Sequence, residues 1–450
     1  MKKIVLLAAM VAATACGGPQ WTKLFNGKTL DGWHQATGDA EYGVEKGCIV
    51  GTYHVNKGGG NSFLVTDRTF GDFILEFEYK IDKGNSGVQF RSSVLESGKV
   101  GGYQFEIEGD PDRGWGGGVY NEPVEWIYPL TFNQGARSAQ KYGEWNKGRI
   151  EAIGQSIRTF VNGVECSDIV ADMYDEGFIG LQVHATRDPE MEGVKMYWRK
   201  IRILTEDLEA NATPAAEGIH VVNAIPNTLT EAEKAEGWKL LWDGETTKGW
   251  RSPKTDHFPE DGWTIRDGML IVNDNDGQES VHGGDIITED MYRNFVLSVD
   301  FKITPGANSG IKYFVRPDLY DPGQASAIGC EFQILDDQLH PDAKLGKDGN
   351  RTLGSLYDLK TADKSNAWFR KKQWNTAWVM VNGPHVEHWL NGVKILEYNR
   401  LTPEFNKMVA DSKYKNWKNF GNHREGHILL QEHGDQVFFR NVKIKTWEDD

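Results

Sequence analysis

The chain repeats itself. WTKLFNGKTLDGWHQ at 21–35 returns as WKLLWDGETTKGWRS at 238–252, and FILEFEYKIDKGNSGVQFRS at 73–92 returns as FVLSVDFKITPGANSGIKYFVR at 295–316. Further along, YQFEIEGD (103–110) matches CEFQILDD (330–337), FVNGV (160–164) matches WLNGV (389–393), and LQVH (181–184) matches LQEH (430–433). The pairs keep their order at a spacing of roughly 220 residues or more, which is domain-sized and far longer than a solenoid repeat. A chain of 450 residues also exceeds what one core usually organises. Two copies of one domain are therefore expected, over residues 21–205 and 237–447, joined by 206–236. The joining stretch holds NATPAAEG, a linker composition, and TLTEAEKAEG, which reads as one short helix capped by Thr228 or Thr230.

Inside each copy the hydrophobic period is two. FILEFEYKI, IRTFVNGV and KMYWRKIRI alternate, and Asn-Gly at 162–163 and 391–392 marks hairpin turns. Helical periodicity is nearly absent. An all-β two-sheet sandwich of the jelly-roll kind follows, whose concave face is a natural groove for an extended polar ligand.

The ends and the charge set the context. Lys2 and Lys3, the apolar run Ile4–Ala13 and then Ala13-Thr14-Ala15-Cys16 read as a signal segment (1–15) of lipoprotein type. Cleavage before a lipidated Cys16 would place the folded part in the cell envelope, tied to membrane only through that anchor; secretion after cleavage near Ala15 is the alternative. Cys48, Cys166 and Cys330 make no full disulfide framework and contain no C-x-x-C pair. Cys48 and Cys166 read as buried thiols or, in an oxidising compartment, as one bridge. The net charge of −15 argues against nucleic acid as a partner.

Strand parity picks out the candidate chemistry. In YQFEIE, Phe105 and Ile107 take the core side and Gln104, Glu106 and Glu108 the other; in CEFQIL, Phe332 and Ile334 face the core and Glu331 and Gln333 the open side. In LQVH and LQEH, Gln182 with His184 and Gln431 with His433 share the open side. Imidazole with carboxylate makes a general acid–base pair, and amides position hydroxyls. His184 with Glu106 and His433 with Glu331 are thus the catalytic candidates. Arg91 and Lys312 offer one cation to each hollow. The loop after the first strand adds Asp110, Arg113, Trp115 and Tyr120, and the loop after the second adds Asp337, His340, Lys344 and Tyr357. The acids around His340 offer oxygen ligands for a divalent ion, although their spacing fits no standard calcium loop. No resident cofactor is expected, with a divalent cation as the alternative.

These motifs carry a resemblance. LFNGKTLDGW, the NSG strand, CEFQILDDQLHPDAK, GSLYDL, QWN and HWLNG in the second copy, with YQFEIEGDPDRGWGGGVY, EWN, FVNG and GFIGLQVH in the first, resemble the 3-keto-disaccharide hydrolase family. The resemblance implies concanavalin A-like lectin/glucanase jelly rolls, a carbohydrate substrate already oxidised at C3, and a separate sugar C3 oxidoreductase as functional partner. It also implies cleavage by C2 proton abstraction, expulsion of the C1 substituent and addition of water. The rival is a carbohydrate-binding surface lipoprotein without catalysis.

Overall fold

The computed structural model describes residues 18–55, 60–278, 283–317 and 327–448. Cys16 and the signal segment lie outside the described residues. Each copy is a sandwich of two mainly antiparallel sheets, nine- and seven-stranded in the first domain and eight- and five-stranded in the second, among the described residues. The strand Phe73–Lys80 shows why. Leu75, Phe77 and Tyr79 point inward, while Glu76 and Glu78 point out and pair with Arg149, Arg202 and Arg199. Inward rings of the two sheets interlock, Phe77 meeting Phe105 at 5.3 Å and Phe73 meeting Phe90 at 6.2 Å between centroids.

The smaller sheets carry the hollows. In the first domain the order is Glu125–Tyr128, Val119–Glu122, Val100–Glu108, Asn85–Val94, Gly177–Val183, Ser62–Phe70, Trp33–Thr37. In the second it is Trp250–Arg251, Ile286–Thr288, His427–Leu430, Asn308–Val315, Cys330–Leu335. The central strands correspond one to one. Both copies also bulge at the same point, Arg91 and Phe314 taking φ of 44° and 56° where the register shifts.

Two expectations need correction. The stretch read as linker is docked. Arg158 donates to the Thr213 and Pro214 carbonyls, Arg149 donates to the Asn211 carbonyl, and Val221–Asn223 adds a parallel strand beside Val164–Val170. Buried carboxylates hold those arginines in place, so a polar, linker-like composition is ordered by charge-assisted bonds. The short helix is present as Glu231–Ala235, and Thr230 and Glu233 form its capping box. Cys48, Cys166 and Cys330 are all free and buried, so the Cys48–Cys166 bridge is not formed.

Arg158 pairs bidentately with Glu165 while gripping the docked segment. Arg158→Ala leaves Glu165 buried without its partner and is expected to cost about 3 kcal/mol in urea unfolding. A loss under about 0.5 kcal/mol, the range of ordinary surface changes, would mean the segment is held by something else.

Candidate functional site

Register builds the first hollow. Gln182 stands opposite Gly87, which stands opposite Glu106, and in the next row Gly180 and Gln104 flank Gln89. Cross-strand partners share a face, so Gln89, Gln104, Glu106 and Gln182 line one surface. Gly87 is what lets them meet, because a Cβ there would lie 2.4 Å from Gln104 Cδ. These polar side chains are buried, unlike those of an ordinary solvated sheet face.

Amides solvate the Glu106 carboxylate. Asn85 Nδ2 and Gln104 Nε2 donate to its two oxygens, Gln89 Nε2 donates to Gln104 Oε1 at 2.8 Å, and Ser92 Oγ donates to Gln89 Oε1 at 3.0 Å. Burial outweighs these bonds and the attraction of Arg113, and with repulsion from Glu108 it pushes the Glu106 carboxyl up to about 7. Gln182 is fully buried, yet among the described residues neither amide atom has a hydrogen-bond partner. Buried amides are normally paired, so Gln182 holds unspent donor and acceptor capacity beside Glu106.

The loop after Glu108 forms the wall. Its glycine run lets the backbone fold back on the strand, Gly117 N donating to Glu106 O and Glu106 N to Gly118 O, both at 2.9 Å. Gly117, at φ +89°, has no room for a side chain against Cys166. Arg113 Nη1 comes within 3.2 Å of Glu108 Oε2, with its guanidinium 4.3 Å over Trp115 and 5.1 Å over Trp126. Tyr120 packs on Trp126. Burial, together with the Glu122 and Glu106 charges, raises its hydroxyl to about 12.

His184 stands at the rim, exposed. Its Nδ1 donates to the Ala185 carbonyl at 2.7 Å. The expected imidazole–carboxylate pair with Glu106 is not made, because the strand ends at Val183 and the chain turns His184 toward Arg113. Arg91 is also elsewhere. The bulge turns its buried side chain to the Gly71 and Gly154 carbonyls and to Asp72, and Gln89 is the true counterpart of Lys312. Asp110 is an exposed loop residue that caps the Asp112 N–H.

The second hollow is a cavity of about 130 Å³, lined among others by Asn308, Lys312, Glu331, Gln333, Gln431 and His433. Here Lys312 faces Glu331 across the ladder where the first copy has Gln89 and Gln104. Gln333 Nε2 donates to Asn308 Oδ1 at 3.0 Å, and Asn308 Nδ2 contacts His433 Nε2 at 3.2 Å. His340 meets His433 edge-on at 6.1 Å. Tyr357 lines the cavity and donates to Asp342, beneath the Lys413 ammonium 4.2 Å from its ring. Asp337 does not reach the cavity; it accepts from Lys364 and from Leu353 N. Lys344 ends an exposed 3₁₀ turn and does not line it either.

The acids proposed around a cation at His340 are otherwise engaged. Arg351 binds Asp342 and Asp358, and Asp336 caps backbone N–H groups. Asn85, Asn308, Gln89 and Lys413 are site residues the alternation argument missed. The repeated Asn-Ser-Gly was the available signal, since its Asn sits two residues before the hollow's Gly in both copies.

Because the folded Glu106 carboxyl titrates above its unfolded value of 4.5, its contribution to stability is full below pH 4.5 and lost as pH rises through about 7. Glu106→Gln is therefore expected to stabilise the protein at pH 8, on the order of 3 kcal/mol, and to change little near pH 4. Denaturant midpoints at the two pH values measure this, and an equal effect at both would refute it.

The model of the 3-keto-alpha-glucoside-1,2-lyase-like domain matches residues 20–204 and again 237–445. A 3-keto-disaccharide hydrolase from Bacteroides thetaiotaomicron is 35% identical over 262 residues, covering 54% of this chain and 89% of that protein. Two solved structures of proposed glycosyl hydrolases from Parabacteroides distasonis are similar. One is 28% identical with a TM-score of 0.43, covering 50% of this chain and 100% of that one. The other is 26% identical with a TM-score of 0.35, covering 47% and 99%. The chain belongs to the 3-keto-alpha-glucoside-1,2-lyase-like family, carries two tandem copies of its domain, and is an enzyme of the hydrolase class.

Proposed function

We propose that the first hollow cleaves 3-oxo-glycosides by elimination and hydration, with Glu106 as the proton-transfer group. One observation carries the reading: a buried carboxyl at about 7, held by amides alongside the unpartnered Gln182. A ketone at C3 acidifies the C2 proton, and a base with pKa near the working pH is the efficient one to remove it. Glu106 takes that proton, and the electron pair moves onto the C3 oxygen as an enolate. The Gln182 amide N–H donates to that oxygen. Collapse of the enolate breaks the C1–O bond, and the protonated Glu106 returns its proton to the departing oxygen. Water then adds across the enone, hydroxyl to C1 and proton to C2, which completes a net hydrolysis. The elimination fits a lyase-like family and the net outcome fits the hydrolase relative.

His184 serves as a rim contact to the sugar, with Nε2 as acceptor. The second hollow, where a lysine faces the carboxylate, binds glycan. The leader sequence ending at Cys16 supports a lipid-anchored position in the cell envelope, and a 3-oxo substrate calls for an upstream enzyme that oxidises the sugar at C3. A purely lectin-like role would leave a carboxyl tuned near neutrality unused.

Incubation with a 3-oxo-glucoside and with its unoxidised parent tests this. Aglycone release is expected from the oxidised compound alone, rising with pH through about 7. Glu106→Gln is expected to lower kcat by about 10²–10⁴-fold, and Glu331→Gln to leave the pH limb in place. Release from both sugars, or full activity in Glu106→Gln, would overturn the assignment.

A further inference from the structure

The first hollow is walled by a stack that does not end in its own domain. Arg113 lies on the Trp115 face, Trp115 meets Trp126 edge-on at 4.8 Å, and its remaining ring neighbour is Trp368 of the second domain, at 4.5 Å. The segment bearing Trp368 is anchored on both sides. Arg370, buried, donates to the Trp126 carbonyl at 2.8 Å and to Asn391 Oδ1 at 3.0 Å. Asn391 Nδ2 donates to the Trp368 carbonyl at 2.7 Å, and Gln373 Oε1 accepts from Trp126 N at 3.4 Å.

We propose that Trp368 is a positioning residue for the first hollow: it backs Trp115 and so fixes where the Arg113 guanidinium stands against Glu108 and Glu106. This rests on the assignment of Glu106 to proton transfer. Arg113 is the cation whose charge opposes the burial of Glu106 and of Glu108. Among the described residues, the other ionisable groups that interact with Glu106 are Glu108 on its own strand, Tyr120 on the neighbouring strand, and Tyr53 just past the strand Cys48–Thr52; His184 interacts with Arg113 from the third side. Among the described residues Arg113 has one ion pair, and a partly exposed side chain held that way has little fixed geometry of its own. Ring stacking supplies the geometry, and the second domain supplies one ring. The domains are then coupled through a wall, and the duplication leaves the first copy dependent on the second.

The test uses the full chain with Trp368→Ala, Trp368→Leu and Trp368→Phe. Loosening Arg113 removes a charge that favours ionised Glu106, so the acid limb of kcat/KM on a 3-oxo-glucoside is expected to move up by about half a pH unit or more in the Ala and Leu variants. Trp368→Phe is expected to restore it. An independent readout needs no turnover: the pH at which the stabilisation by Glu106→Gln levels off is set by the folded carboxyl, and it should rise by the same amount in the Trp368→Leu background. A limb and a levelling-off pH that both stay in place, or a uniform loss at all pH values, would overturn the proposal. A shifted levelling-off pH with no turnover on any 3-oxo-glucoside would instead overturn the assigned reaction and keep the positioning role.

Discussion

A carboxyl group taken out of water must be solvated by something, and in the first hollow that something is amide. Asn85 and Gln104 donate to Glu106, and Gln89 and Ser92 orient Gln104 in turn. Amides satisfy the oxygens without contributing a full charge. Burial therefore still disfavours the ionised form, and Glu106 rests near neutrality. A lysine at the position of Gln89 would hold the carboxyl ionised and make it a poor acid. The peptide geometry exists to hold this row, with Gly87 clearing the floor, the glycine loop folding back along the strand, and Arg113 standing one residue pair away on Glu108.

The second domain shows the alternative solution on the same frame. Its ladder sets Lys312 against Glu331 where the first copy sets amide against amide, and it places Gln333 at the position of Glu106. The asparagine is kept but reversed in role. Asn85 donates to a carboxylate, whereas Asn308 accepts from an amide and turns its own NH₂ to His433. One frame thus holds two electrostatic environments. His388 ties the second frame together from below. It is buried and held at about 4, its Nδ1 donating to the Gly354 carbonyl and its Nε2 accepting from Tyr313.

Strand periodicity made much of this legible. A period of two placed Gln104, Glu106, Gln182, Glu331 and Gln333 away from the core, because parity survives wherever a strand is regular. It failed at Arg91, where the bulge breaks parity, and at His184, where the strand has ended. The loop reading failed for Asp337 and Lys344 because loop side chains go where local partners take them, here Lys364 and solvent. The docked segment after residue 205 looked like linker because its composition is polar. Its order comes from Arg149 and Arg158, far off in sequence. Trp368 is invisible for the same reason: no local pattern announces a contact with a tryptophan in the other domain.

The most direct measurement is a ¹³C NMR titration of the Glu106 carboxyl in protein labelled at glutamate side-chain carbons, assigned by the loss of one signal in Glu106→Gln. A midpoint near 7 is expected for that resonance in the intact chain. A midpoint in the ordinary glutamate range, near 4.5, would contradict the amide-solvated carboxyl on which the proposed chemistry rests.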